Sequence, residues 1–326
     1  MKIAILNAQN LFLLDNPSDY HQNTQSKRYQ YNKPVLKVIE LAKAIKDIDP
    51  QIIMMMEVGG DESLQNFNKN YLDNNFIPSL IKGNSDRGIE LGYLVKKNMP
   101  FCYDHYTHKN RPLNFNYPFE KKENQKREQL GLPPLYKSHK FSRDIAELRI
   151  YSKDDKDTPK LILLLVHLKS QLDFQNCDEK GKGRREAELK TLIEVYLNLE
   201  KKFKHKVPII IGGDFNGKAQ SFETDLEFKT LYDKTTLKDI LELINLPIQQ
   251  RTTLILPPSK ISLENPQYDY IFIPQSFEHN VDKGNSGLYR YKNPQTGVPL
   301  PYPHEDYDLK DFPSDHYPLV LKLKKF

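Results

Sequence analysis

The chain has 326 residues, 48 of them basic and 43 acidic, so its net charge is only +5, and 38% of its side chains are hydrophobic. That is the composition of a soluble globular protein; it excludes a helix that spans a bilayer, since no apolar run is long enough. Cys102 and Cys177 exclude a disulfide framework and a cysteine-only zinc site, and the mild charge permits a polyanionic partner without demanding one.

In chain order, residues 3–7 read as a first strand ending at Asn7, with too short an apolar run for a secretory signal, so a cytoplasmic protein is expected. Residues 11–33 read as a long polar loop, with a turn signal at Asp15-Asn16-Pro17-Ser18. Pro34 can open a helix whose apolar face is Val35, Val38, Ile39, Ala42, Ile45 and Ile48. Ile52 to Met56 is a strand apolar on both faces that closes on Glu57. The pattern then predicts a short helix over 61–71 capped by Asp61 or Ser63, an edge strand over 76–81 and a turn at 84–88. Strands follow over 89–95 and 103–106. Residues 108–140 read as an inserted, solvated loop with a short exposed helix at 120–128.

Phe141-Ser142-Arg143-Asp144 leads into a strand over 145–151, and a hairpin returns as Leu161–Val166, which ends in His167. A helix over 184–204 buries Leu189, Leu192, Ile193, Tyr196, Leu197 and Leu199; its other face is basic through Lys206. Ile209-Ile210-Ile211-Gly212-Gly213 is a buried strand whose glycines stop it, so Asp214 and Asn216 are displayed on the turn. A short helix is expected over 236–246, a strand over 268–273, a second long loop over 283–314 and a closing strand over 319–323. The pattern gives one α/β sandwich of two face-to-face sheets with helices outside, and no linker marks a boundary within 1–326.

The polar residues beside these apolar strands are Asn7, Glu57, His167, Asp214, Asn216, Asp269, Asp315 and His316. Carboxylates and amides are hard oxygen ligands that suit Mg²⁺ or Mn²⁺. Histidines able to pair with carboxylates suit acid–base or phosphate-binding work.

The segments Leu6-Asn7-Ala8-Gln9-Asn10-Leu11-Phe12, Met56-Glu57-Val58, Arg87-Gly88-Ile89, Val166-His167-Leu168, Gly213-Asp214-Phe215-Asn216, Tyr268-Asp269-Tyr270 and Ser314-Asp315-His316-Tyr317-Pro318-Leu319 occur in that order. In them the chain resembles the endonuclease/exonuclease/phosphatase superfamily. The resemblance implies the DNase I-like fold, a four-layer sandwich of two mixed β-sheets flanked by helices, and metal-assisted hydrolysis of a phosphoester by in-line attack of water. It implies Mg²⁺ held by Glu57, Asn7 and Asp315, with Mn²⁺ as a substitute. Asp214 would activate the water, Asn216 and His316 would contact the phosphate, and Asp269 would fix the His316 ring. His167, with Glu90 as a partner, would make a second contact to the phosphate or the leaving group. Phe141-Ser142-Arg143 resembles the segment where the DNase branch carries a phosphate-binding Arg. Arg87, Glu90 and Asn10 are more readily structural. The chain departs from the family in having no Trp, with Leu6 where one is usual, and its loops at 108–140 and 283–314 match no named segment.

Three functions compete on this basis. The first is a phosphodiesterase or nuclease acting on DNA or RNA, with backbone contacts from the basic helix ending at Lys206 and from the inserted loop. The second is a hydrolase of a small phosphoester: a phospholipid head group, an inositol phosphate or a nucleotide. The third is an inactive scaffold that binds a partner through its long loops.

Overall fold

The computed structural model describes residues 1–15, 31–173, 177–256, 266–303 and 306–324. Residues 16–18 of the first turn signal lie outside the described residues. Strand β1 (Lys2–Leu11) and strand β2 (Ile52–Val58) run parallel, joined through helix α1 (Val35–Ile48). Helix α2 (Asp61–Tyr71) follows, then β3 (Phe76–Leu80) and β4 (Glu90–Lys96), with proline-bearing β3 at the sheet edge. β5 (Phe101–Thr107) starts the second sheet. The inserted segment after it carries a small ribbon, β6 (Pro112–Leu113) with β7 (His139–Lys140), around helix α3 (Pro118–Gln129).

The second sheet continues with β8 (Ile145–Ser152) and β9 (Leu161–His167), crosses over through α4 (Lys182–Lys202) to β10 (Ile209–Asp214), and proceeds through α5 (Lys229–Lys234), β11 (Leu237–Asp239), α6 (Ile240–Leu243) and β12 (Asp269–Pro274). The chain returns to the first sheet with β13 (Gly287–Leu288) and β14 (Leu319–Lys322). The strand orders are β13-β14-β1-β2-β4-β3 and β11-β12-β10-β9-β8-β5.

Successive strand residues point to opposite faces, and both faces here are covered. On β1, Ile3 and Ile5 pack between the sheets with Leu163, Leu165 and Ile210, while Ala4 and Leu6 pack beneath α1 with Val38, Leu41 and Ile45. On the second sheet Ile162, Leu164, Ile209 and Ile211 turn outward onto Leu189, Leu192 and Tyr196 of α4. The layers are therefore helix, sheet, sheet, helix, and the near-continuous apolar runs in the sequence follow directly from burial on both sides.

Three local expectations change. The stretch expected as a helix over 236–246 opens as β11, which pairs antiparallel with β12, and only Ile240–Leu243 is helical. α2 is capped at Gly60 instead of Asp61 or Ser63; the Ser63 hydroxyl donates to the Gly59 carbonyl and accepts from Leu13 N. α4 spans roughly 30 Å at 1.5 Å per residue. Its first turn lies at the site described next and its lysines at 201–206 stand at the far end, and β1 runs past the expected end at Asn7 to Leu11. Among the described residues, no helix is long and apolar enough to cross a membrane.

Candidate active site

The strand register gathers the central side chains. Parallel pairing of β9 with β10 sets His167 opposite Asp214, and antiparallel pairing of β10 with β12 sets Asp214 opposite Asp269. Three polar residues thus share one rung at the end of the second sheet. Two glycines make the approach possible. A Cβ on Gly212 would lie 2.0 Å from Ile5 Cδ1 across the sheet interface, and Gly213 has φ of +145°, with its Cβ position 1.8 Å from the Val166 carbonyl oxygen.

His316 comes from the segment before β14. Its Nδ1 is 2.6 Å from Asp269 Oδ2, and its Nε2 lies 4.0 Å from Asp214 Oδ2 and 3.9 Å from Asp315 Oδ1. Ser314 anchors this segment to the first sheet: its hydroxyl donates to the Asn7 carbonyl at 2.7 Å and accepts from His316 N at 3.2 Å. Asn7 Nδ2 in turn reaches Asp214 Oδ2 at 3.5 Å, and Asn216 N donates to Asp214 Oδ1 at 2.8 Å. His167 Nε2 lies 3.5 Å from Asp214 Oδ2. Glu90 is not its partner: Glu90 Oε2 accepts from Gly83 N at 2.8 Å, and His167 Nδ1 is buried without a hydrogen-bond partner.

Electrostatics separate these groups by role. Burial, with the Asp269 carboxylate beside it, pushes Asp214 up to about 7. Burial disfavours a charge on His316, yet Asp269, Asp315 and Asp214 outweigh it and hold the imidazole well above its ordinary value. His167 goes the other way: burial and the neighbouring Arg143, His316 and Arg87 keep it neutral. A proton-accepting carboxylate and a persistent imidazolium on adjoining positions are what acid–base work on an anion requires.

Among the described residues, one cluster of His and carboxylate side chains could hold a cation. Asp214, Asp269 and His316 offer ligand atoms within 4.8 Å of one another, but the short His316–Asp269 hydrogen bond already occupies that pair. The set that the resemblance implies for a metal is Glu57, Asn7 and Asp315. Glu57 sits at φ of +59° with one carboxylate oxygen fixed by Asn10 N at 3.0 Å, and Asn7 Oδ1 accepts from Gln9 N at 3.0 Å. This second set is all oxygen, which fits a hard divalent ion. Asn10 also accepts from Arg87 Nη2 at 2.7 Å, so the three residues tie the tips of β1 and β2 to the 84–88 turn.

Arg143 is buried, with Nη1 donating to the Leu168 carbonyl at 3.3 Å. Its guanidinium is lowered by burial and Arg87, while Glu57, Glu188 and Asp214 favour its charge.

Two residues at this end escape a motif reading. Lys33 is buried, donates to the Gln9 carbonyl at 3.0 Å, and is lowered by burial and Lys37 to about 8 despite Asp315 and Glu57. Glu188, fully buried on α4, accepts from Ser142 N and Oγ, each at 2.7 Å, and from Lys169 N at 2.7 Å. It locks the Arg143 segment to the end of β9. Its signal was present: Arg185 and Glu188 fall on the buried stripe of α4 at helical spacing, where a charge must have partners.

No family model matches the sequence, and no curated protein matches it. Solved structures do. The human Nocturnin catalytic domain with bound sulfate anion aligns with 14% identity and a TM-score of 0.57, over 99% of this chain and 93% of its own. The Bacteroides thetaiotaomicron mannosyl-6-phosphatase Bt3783 aligns with 14% identity and a TM-score of 0.54, over 99% of each chain. An endonuclease/exonuclease/phosphatase family protein from the same organism has 16% identity and a TM-score of 0.54, over 99% of this chain and 97% of its own. At these identities the likeness shows the fold: the chain is a DNase I-like α/β sandwich.

Proposed function

We propose that this chain is a divalent-metal-dependent phosphoric ester hydrolase of the endonuclease/exonuclease/phosphatase type, acting on a phosphodiester such as DNA or RNA. The observation that carries the reading is the Asp269–His316–Asp214 cluster, which sets a carboxylate raised to about 7 beside an imidazolium. The shared fold with a protein named a phosphatase supports it.

A hard cation held by Glu57, Asn7 and Asp315 would neutralise charge on the phosphate. The chain's own residues do the rest. Asp214 Oδ2 orients a water and takes its proton as the water oxygen attacks phosphorus. His316 Nε2 donates to a phosphate oxygen and stabilises the charge that gathers there, while Asp269 holds its Nδ1 and so fixes the ring. Asn216 Nδ2 spends one N–H on the Leu168 carbonyl at 3.1 Å and keeps the second for the phosphate. Arg143 adds a permanent cation from the side, and His167, kept neutral, hydrogen-bonds the leaving oxygen.

Nicking of supercoiled plasmid with Mg²⁺, abolished by EDTA and by Asp214→Asn, is the expected result. Full cleavage by the Asp214→Asn protein would remove the role given to Asp214. Phosphate release from sugar phosphates, without nicking, would favour the small-phosphoester reading, for which the mannosyl-6-phosphatase neighbour is the specific support.

A further inference from the structure

A cavity of about 800 Å³ opens beside the catalytic cluster. Arg143 belongs to both, since it lines the cavity and donates to the same Leu168 carbonyl that receives Asn216. Five cations line the cavity (Arg87, Lys140, Arg143, Lys169 and Arg184) against one carboxylate, Asp86. Arg184 is spent on the framework: it donates to Tyr117 Oη and to the Lys140 carbonyl, each at 2.9 Å, with Nε 3.6 Å from Glu188. The others are differently placed. Lys140 donates to Asn110 Oδ1 at 3.1 Å, and Lys169 to the carbonyls of Ser170 and Leu172 at 3.0 and 2.6 Å. Among the described residues, no carboxylate lies within ion-pair distance of Lys140, Arg143 or Lys169. The lysines have three N–H donors each, so Lys140 retains two and Lys169 one.

Gathered cations repel one another, and here the repulsion registers: burial and Arg143 lower the Lys169 ammonium, and burial and Arg87 lower Arg143. An anion entering the cavity relieves that repulsion and fills the unused donors. A nucleobase gains less, because of the two aromatic rings at the cavity Phe141 is buried with 2% exposure, and His139 already packs against Phe115 and Tyr117 with its Nε2 2.8 Å from Glu120 Oε2.

We propose that this cavity seats a second phosphate, carried on the same substrate molecule as the phosphoester that is cut. The proposal rests on the phosphoesterase reading above and deepens it: the substrate is a polyanion, read here by charge and without base preference.

The experiment compares two substrate pairs with a divalent cation present. One is thymidylyl-thymidine with and without a 5′-phosphate; the other is glucose 1,6-bisphosphate against glucose 6-phosphate. In whichever pair is hydrolysed, the second phosphate is expected to lower KM about tenfold with a smaller change in kcat, and Lys140→Gln/Lys169→Gln should shrink that gap to about twofold. The pair that responds identifies the source, an oligonucleotide or a small bisphosphate. A missing gap, or one that survives the double variant, overturns the second-phosphate site. If neither pair is hydrolysed, the phosphoesterase reading fails on its own, and calorimetric binding of inorganic pyrophosphate decides the site. Binding that weakens about tenfold in the double variant, or in exposed Lys140→Gln alone, supports it; equal binding, or none, overturns it.

Discussion

In the proposed reaction Asp269 acts through His316, and the two can be separated. The 2.6 Å hydrogen bond fixes the ring and contributes most of the charge that keeps His316 protonated against its burial. Asp269→Asn keeps the shape and removes the charge, so kcat should fall roughly 10²-fold or more. The descending alkaline limb of the pH–rate profile should also move to lower pH, because the imidazolium is then lost sooner. An unchanged limb would show that His316 is not the group titrating there. Much of this cluster is legible in sequence, since His167, Asp214 and Asp269 each end or open an apolar strand, and Asn7 and Glu57 follow apolar runs within β1 and β2. Lys33, Ser314 and Glu188 are not legible in that way. Their chemistry comes from partners at Gln9, Asn7 and Ser142, all remote in the chain and close only after folding.

At the scale of elements, β10 carries the two closest glycine approaches among the described residues, at Gly213 and Gly212. Gly212 faces Ile5 of β1 across the sheet interface, so Gly212→Ala overpacks it, at a cost of about 1–3 kcal/mol. Ile5→Val removes Cδ1, the atom in the way, and alone costs about 0.5–1.5 kcal/mol. The double variant should lose clearly less than the sum in urea unfolding, by about 1 kcal/mol; strict additivity would mean the sheets do not meet as described. Gly213→Ala has no such remedy, because its obstacle is the backbone of β9 and its φ is positive. The sequence reading placed β10 correctly because three β-branched residues meet a double glycine there. It misread 236–246 because Leu237, Ile240, Leu241 and Ile244 recur at helical spacing, whereas pairing of Lys238 with Ile273 on β12 decides the backbone.

For the whole molecule, the arrangement that suits the proposed chemistry should cost stability, in a pH window that follows from Asp214. An unfolded Asp titrates near 3.9, while the folded carboxyl is raised to about 7. Between those values the native state binds more protons than the unfolded chain, so this group makes stability fall as pH rises. The loss is absent below about pH 4 and complete above about pH 7. Asp214→Asn does not titrate, and its amide oxygen can still accept from Asn216 N. The melting temperatures of variant and parent, measured in EDTA, should therefore coincide near pH 4. They should diverge in the variant's favour up to pH 7–8, by on the order of a few kcal/mol and hence several degrees. A gap that is constant with pH, or of opposite sign, would contradict the raised carboxyl. A variant that is more stable yet inactive would identify the end of the second sheet as the place where this fold gives up stability to hold a proton acceptor in the dry.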